Sequence, residues 1–295
     1  MSTKNTPALL PVISCLVAAT LWGVLWYPMR LLESLGVPGL WATLMIYVAA
    51  LIPLLPAFWD RRHDCRNQGG NLIVIAVFSG WTNLAFILAL LEGTVVRVLL
   101  LFYLSPVWTV ILDWIILREY LKLMSAITVM IAMTGAIIML WPGEAEMFWP
   151  LHVADWLAIS AGIAFAVMNV FLRRSGDIPL IVKMVPACVG VIVLAAAGLV
   201  LLGPALPTLT PETILLAFAV GGIGIIAMTY TAQYGVTHMP VHRSAVIFLF
   251  EIVAGAVSAA LLTDEIMTPR EWFGGLLVII AAWLTATGNL ESREG

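Results

Sequence analysis

Ten apolar stretches fill nearly the whole chain, and each is long enough to cross a lipid bilayer as a helix. A hydrocarbon core of about 30 Å requires roughly 20 apolar residues per helix. The stretches lie at 8–29, 39–59, 70–91, 95–117, 121–141, 151–172, 179–202, 213–237, 241–263 and 272–289. Of the 295 residues, 62% are hydrophobic and only 11% are charged. The chain is therefore predicted to be an all-α integral membrane protein, without room for a soluble catalytic or nucleotide-binding domain.

The distribution of Lys and Arg predicts the orientation of the chain, because cytoplasmic loops carry most of these residues. With the N-terminus inside, 11 of the 14 fall on inner segments, and only Arg30, Arg97 and Arg270 fall on outer ones. Both termini are thus predicted to face the cytoplasm. The first span lacks a strongly basic start and continues beyond a typical signal-peptide core, so it is interpreted as a retained helix.

An Arg–Glu pair occurs twice and indicates that the chain was built by duplication. Arg97 precedes Glu119 by 22 residues, and Arg243 precedes Glu265 by the same 22, at an offset of 146. Because a five-helix unit has an odd number of helices, its second copy must enter the membrane from the opposite face. The prediction is two inverted five-helix repeats, 1–145 and 146–295, with a substrate site near the midplane between them.

Short apolar motifs carry a resemblance to a known family. They are Thr20-Leu21-Trp22-Gly23 in the first span, Leu104-Ser105-Pro106-Val107 in the fourth, Arg118-Glu119 at its end and Gly135 in the fifth. With them the chain resembles the ten-helix drug/metabolite transporter superfamily with two EamA-type repeats, and most of all its bacterial aromatic amino acid exporters. The resemblance implies a secondary transporter of the inner membrane. The second half departs from the family pattern, with Glu251-Ile252 where a ninth-helix proline is often seen.

Glu251 is the main candidate for a substrate ligand because it lies in the middle of the ninth span. A charged carboxylate at the bilayer centre costs about 2.5–3.5 kcal/mol on insertion scales, so such residues usually serve a function. It is expected to bind a substrate ammonium or to carry a coupling proton; the alternative is a structural acid bonded to a neighbouring helix. Ser244 is a second candidate ligand on the same helix face, and Gly255 is a candidate hinge. Tight helix packing through small residues is the alternative for this face.

The fourth span carries the repeat equivalent of Glu251, which is Ser105. Pro106 follows it and predicts a kink, because proline removes a backbone hydrogen bond. This kink is interpreted as a hinge beside the cavity or, alternatively, as a packing kink without a gating role. Tyr103 and Trp108 are further candidate substrate ligands on this helix. The ninth span has no such proline, so the two copies are expected to differ here, one kinked and one carrying a carboxylate.

The eighth span presents Tyr230, Gln233 and Tyr234 on one helix face, at spacings i, i+3 and i+4. Polar groups within a bilayer need partners, and here they are predicted to contact the substrate. The alternative for the two tyrosines is ordinary anchoring at the membrane interface, where tyrosine is enriched.

Three more residues complete the predicted substrate site. Asn83 and Asn169 are lone amides within spans, for which interhelical hydrogen bonding is the alternative. Trp22 is predicted to line the cavity because its repeat counterpart, Phe165, is also aromatic.

The remaining polar residues indicate no cofactor, metal or catalytic site. Asp113 is expected to snorkel or to pair with Arg118, and His242 is interpreted as a solvated residue near a loop. The 3 cysteines show neither a disulfide pattern nor metal-ligand spacing. The match of Gly222-Ile223-Gly224 and its neighbours to a dinucleotide motif is rejected, because no strand precedes it.

These residues together predict a secondary transporter that exports amino acids, aromatic and other large neutral ones above all, by alternating access. The alternatives are a broad drug or metabolite exporter of the same fold and a membrane-embedded enzyme acting on lipids. Phosphorylated substrates fit poorly, since the midplane has no Lys or Arg to bind phosphate. The expected partners are a small-molecule substrate and the bilayer, with no nucleic acid, and the chain is expected to act as a monomer.

Overall fold

The computed structural model describes residues 9–66, 68–93, 95–119, 122–141, 152–176, 178–202, 205–263 and 267–291. Most residues in these ranges are helical, and the ranges contain no β-strand. We number the long helices by the predicted spans they occupy: α1 (Leu10–Val24 and Trp26–Ser34), α2 (Gly39–Arg61), α3 (Gly69–Glu92), α4 (Val95–Phe102 and Ser105–Leu112), α5 (Leu123–Leu140), α6 (Val153–Arg174), α7 (Leu180–Leu202), α8 (Pro211–Ala219 and Ile226–His238), α9 (Val241–Phe248 and Phe250–Leu262) and α10 (Pro269–Glu291).

Nine stretches of described residues are long and apolar enough to cross a membrane, and they correspond to α1 through α9. The tenth helix, α10, has 23 residues and packs along α5. The prediction of an all-α membrane protein with ten spans is confirmed. The predicted boundary between residues 145 and 146 lies outside the described residues, as does Glu265.

The most extensive helix contacts join the first half of the chain to the second. Helix α3 packs on α6 and α7, α2 packs on α7, and α1 packs on α8 and α9. Small residues are frequent at these contacts, as expected for helices that associate within a bilayer. The protein interior therefore lies between the two halves.

Helices α4 and α9 are interrupted at equivalent positions, after Phe102 and after Phe248, which lie 146 residues apart. At the α9 interruption, the Leu249 N–H bonds to the carbonyl oxygen of Val246 at 3.2 Å, three residues back instead of four. The expectation that only the fourth span is kinked is therefore wrong. The ninth span makes the same break without a proline, by tightening one helical turn.

In α4 the break leaves a backbone carbonyl group available for contact with another helix. Pro106 has no N–H with which to bond the carbonyl of Phe102, four residues earlier. That oxygen lies against Gly162 of α6, where an added Cβ atom would come within 2.7 Å of it. Glycine thus allows α6 to approach the interrupted helix closely.

Candidate functional site

A cavity lies between the two halves, beside the interruptions in α4 and α9. It offers about 160 Å³ to the centres of water molecules, and eight helices line it, α1 to α4 and α6 to α9. Seven of the predicted substrate ligands are brought together in its wall: Trp22, Asn83, Tyr103, Ser105, Asn169, Gln233 and Glu251.

The other four predicted ligands lie outside this wall. The buried hydroxyl of Ser244 donates to the backbone oxygen of Val241 at 2.9 Å. The indole nitrogen of Trp108 is buried without a hydrogen-bond partner. Tyr230 is 50% exposed on the outer surface. Tyr234 stacks on His238, with 4.2 Å between the ring centroids.

The two predicted hinge residues also lie outside the wall of the cavity. Pro106 is buried in the first turn after the α4 interruption. Gly255 faces α1, where an added Cβ would lie 3.4 Å from the backbone oxygen of Gly23. That distance is tight but not a clash, so the position tolerates little beyond a small residue.

Polar groups concentrate around Glu251. The hydroxyl of the buried Tyr103 lies close enough to the Glu251 carboxylate to interact with it electrostatically. Gln233 is buried, and its Oε1 atom has no hydrogen-bond partner. Among the described residues that line the cavity, Glu251 is the one acid, and none is Lys or Arg. The cavity therefore offers a ligand one carboxyl group and one acceptor without a partner, the Oε1 atom of Gln233.

The amide of Asn83 is held by two helices. Its Nδ2 atom donates to the backbone oxygen of Ser79 at 3.0 Å, one turn earlier in α3. Its Oδ1 atom accepts a hydrogen bond from the Tyr47 hydroxyl of α2 at 3.4 Å. Because both contacts fix the amide, Asn83 is presented to the cavity in one orientation.

Aromatic rings form a continuous row along another part of the cavity. Phe86 lies 4.8 Å from Phe102 between ring centroids, Phe102 lies 5.8 Å from Phe165, and Phe165 lies 5.9 Å from Phe248. These separations are typical of tilted and edge-to-face aromatic pairs. Phe102 and Phe248 are repeat equivalents, so both halves contribute to the row.

Helix α1 packs closely on α9 beside Glu251. A Cβ atom added to Gly23 would lie 2.6 Å from the Glu251 backbone oxygen and 2.7 Å from the Cβ of Ala254. Close to this contact, the indole N–H of Trp26 donates to the Ser258 hydroxyl at 2.9 Å. The backbone that carries Glu251 is thus held in place by α1.

Several residues of the cavity were not identified from the sequence. Tyr47 lies far from both ends of α2, and a phenol at such a depth needs a hydrogen-bond partner. Its position within the span could therefore have identified it from the sequence. The remaining residues are hydroxyls and apolar side chains without a distinctive pattern: Ser79, Thr82, Phe86, Phe102, Met168, Leu172, Ala187, Cys188, Thr229, Ala232, Ala245, Phe248 and Leu249.

The acidic and basic residues outside the cavity are paired differently from expectation. Asp113 neither snorkels nor binds Arg118; its Oδ2 atom lies 2.7 Å from Nδ1 of His242, and both side chains are buried. The interpretation of His242 as a solvated residue is wrong for the same reason. Arg97 binds Asp155 at the start of α6 through two contacts, at 2.6 and 3.0 Å.

Comparison with known proteins gives a family match and a fold match. The profile of the EamA-like transporter family matches residues 9–141 and again residues 152–287. This double match confirms the internal repeat. No curated protein matches the sequence. A solved structure titled "Crystal structure of protein" has a TM-score of 0.73 and 18% sequence identity, and the alignment covers 95% of this chain and 98% of the other. At that identity the likeness concerns the fold alone.

Proposed function

The chain belongs to the EamA-like transporter family, and from that premise we propose that it exports amino acids with aromatic or other large neutral side chains. As a member of this family it is a multi-pass membrane transporter. The proposed transport is alternating access between residues 1–145 and 146–295, in an inner-membrane monomer with both termini cytoplasmic. The observation that carries the proposal is that one carboxyl group and a row of aromatic rings line the same cavity.

Glu251 is proposed to bind the substrate ammonium group. A charge-assisted hydrogen bond is roughly twice as strong as a neutral one, and the cavity wall gives the carboxylate no competing cation. The unpartnered Oε1 atom of Gln233 adds a second acceptor for the same group. An ammonium placed between them would offset the cost of burying both acceptors.

The aromatic row is proposed to bind the side chain of the substrate. Phe102, Phe165 and Phe248 present ring faces and edges, and these pack well against another aromatic ring. Such a wall binds by contact area rather than by specific hydrogen bonds. It therefore accepts a range of large neutral side chains, in keeping with an exporter of several amino acids.

The substrate carboxylate is proposed to bind neutral donors. The cavity wall supplies the amides of Asn83 and Asn169 but no Lys or Arg. Neutral amides bind a carboxylate less strongly than a guanidinium does, which suits a site that must release its substrate. Trp22, Tyr103 and Ser105 complete the proposed ring of contacts.

In the proposed alternating access the lining helices bend near the cavity, and the interruptions in α1, α4 and α9 provide suitable joints. Pro106 is proposed as the hinge of α4, since it follows the break directly. Gly255 is proposed as the hinge of α9, where its lack of a side chain permits the close contact with Gly23 of α1.

Transport by purified protein in vesicles tests the substrate assignment. Labelled phenylalanine inside the vesicles should exchange with phenylalanine, tyrosine or leucine outside. Glu251→Gln should slow this exchange at least about tenfold, the loss expected when a charged hydrogen bond becomes a neutral one. The matched control is Glu92→Gln, which removes an exposed glutamate at the end of α3 and should leave the rate unchanged. Failure of every amino acid to exchange would refute the substrate assignment.

One observation favours a second candidate, an exporter of bulky organic cations. The cavity wall contains an acid but no base, which suits an amine without a carboxylate. Phenethylamine and phenylalanine differ in that carboxylate alone, so their competition for transport separates the two candidates. Inhibition by phenylalanine supports amino acid export, whereas inhibition by phenethylamine alone supports the cation exporter.

A further inference from the structure

A layer of buried polar side chains lies beyond the cavity, toward the predicted cytoplasmic ends of the helices. Its centre is the pair of Asp113, which follows α4, and His242, in the first turn of α9. Their 2.7 Å contact joins the first half of the chain to the second, and each side chain is less than a tenth exposed. The Oδ1 atom of Asp113 is buried and has no hydrogen-bond partner.

Lys183 occupies the same layer and is fully buried. Its ammonium donates to the backbone oxygen of Gly176 at 2.6 Å, to the Thr237 hydroxyl at 2.9 Å and to the backbone oxygen of Leu172 at 3.2 Å. These contacts join α7 to the end of α6 and to α8. The burial of an ammonium inside the membrane is costly, and here three acceptors compensate it.

A second ion pair crosses between the halves at the edge of the layer. The Arg173 guanidinium, at the end of α6, lies 3.5 Å from the Glu119 carboxylate, which follows α4. Arg173 also donates to the backbone oxygen of Thr237. One ligand atom from each of Asp113, Glu119 and His242 lies within 4.8 Å of the other two. Arg173 therefore brings positive charge close to two carboxylates, and the contacts of the layer link both halves of the chain.

The layer lies directly beneath the floor of the cavity. Leu172 lines the cavity and also accepts a hydrogen bond from Lys183. Three other lining residues lie one helical turn, about 5.4 Å, from members of the layer: Ala187 from Lys183, Gln233 from Thr237, and Ala245 from His242. A substrate that enters the cavity from this side must therefore separate the members of the layer.

We propose that Asp113 and His242 form the latch that closes the cavity toward the predicted cytoplasmic side. The proposal rests on alternating access as the transport mechanism. Opening moves α4 away from α9 and admits water to the pair. Water then solvates both side chains and satisfies the Oδ1 atom of Asp113, which has no partner in the closed state. Water can thus replace the contacts that hold a polar latch closed. Opening an apolar plug would instead expose its apolar surface to water without compensation.

Accessibility of Cys188 tests the latch because this buried residue lines the cavity. With Cys15→Ala and Cys65→Ser it is the sole cysteine of the 3. A membrane-impermeant maleimide is added to inverted membrane vesicles, whose cytoplasmic face is outward. Asp113→Ala and His242→Ala should each raise the labelling rate at least about tenfold, as expected when a buried pair is broken. The double variant should exceed neither single variant by more than about twofold, because all three remove one interaction.

The matched control is Ser160→Ala, which removes the exposed hydrogen bond from Trp81 and leaves the layer intact. It should not change the labelling rate. Asp113→Asn and His242→Gln, which keep the side-chain volume, carry the test if an alanine variant does not fold. Parent-like labelling in the folded variants would overturn the latch, and so would an equal rise from both membrane faces. Labelling needs no substrate, so the latch and the substrate assignment can fail separately.

Discussion

Helices α4 and α9 occupy equivalent places in the two repeats, and they share a shape while differing in chemistry. Both are interrupted after a phenylalanine, although only α4 contains a proline at that point. The residue three positions later is Ser105 in α4 and Glu251 in α9. The break thus belongs to the repeated fold, whereas the carboxylate belongs to one copy. The two repeats therefore have the same helix shape at this position, and only the second repeat carries the carboxyl group proposed to bind the substrate.

The contacts of the two broken helices also differ. Beside α4, a Cβ added to Gly162 would meet the Phe102 oxygen at 2.7 Å and nothing else closer than 3.5 Å. Beside α9, a Cβ added to Gly23 would meet three atoms within 2.9 Å. Helix α9 is therefore clamped on α1 more tightly than α4 is on α6. We infer that α4 bends more than α9 during transport, and that α9 keeps Glu251 beside α1.

Moving the carboxylate from α9 to α4 should have the largest effect. Glu251→Ser should slow amino acid exchange by about tenfold or more, because a charged ligand for the ammonium is lost. Adding Ser105→Glu to this variant should not restore the rate, because Gln233 lies on α8, which contacts α9, and the clamped backbone belongs to α9. Vesicle exchange of phenylalanine measures both variants. Full recovery in the double variant would show that the two positions are interchangeable.

Replacing the two contact glycines, Gly23 and Gly162, with alanine should show that α9 is held more tightly than α4. Gly23→Ala should destabilise the protein by about 1–3 kcal/mol, the usual cost of overpacking, and Gly162→Ala should cost less. Thermal unfolding in detergent measures both. Gly224→Ala serves as the control, because its nearest neighbour would be the flexible end of Met228 at 3.5 Å. Equal losses at Gly23 and Gly162 would contradict the proposed asymmetry.

Removing the Tyr103 hydroxyl should have a smaller effect on transport. Its repeat equivalent is Leu249, so Tyr103→Phe makes the two copies more alike. The loss of one polar contact with Glu251 should slow exchange about threefold to tenfold, equivalent to about 1 kcal/mol. Tyr230→Phe is the matched control, since that hydroxyl lies on an exposed residue outside the cavity. A parent-like rate for Tyr103→Phe would exclude the phenol from the site.

Replacing the proline of α4 should have the smallest effect. If the break belongs to the fold, Pro106→Ala should change the free energy of unfolding by less than about 1 kcal/mol, well below the usual effect of a helix proline. The Phe102 oxygen would remain against Gly162, and α4 would keep the shape that α9 has without proline. Thermal unfolding in detergent measures this change in stability. A large rise in stability would mean that Pro106 itself imposes the break.

Features that arise from a single helix could be predicted from the sequence. The ten spans follow from the length of apolar runs, and Glu251 follows from the cost of a carboxylate at mid-span. The break at Leu249 could not be predicted in this way. No proline lies between Val241 and Leu262 to mark the position of the break.

Contacts between side chains of different helices could not be predicted from the sequence. Asp113 and His242 are 129 residues apart and belong to different halves. From the sequence alone, the position of Asp113 near a helix end predicts a side chain that reaches water. The position of His242 near a loop likewise predicts a solvated side chain. Only the packing of α4 against α9 removes water from both and makes them partners.

The packing of the first half of the chain mainly on the second has a consequence for how the protein is made. Since α1, α2 and α3 pack mainly on α6 to α9, the first five helices leave the ribosome without their principal neighbours. They must stay in the bilayer, apolar but unpaired, until the rest of the chain is inserted. Assembly of the interior is therefore a late event of biosynthesis.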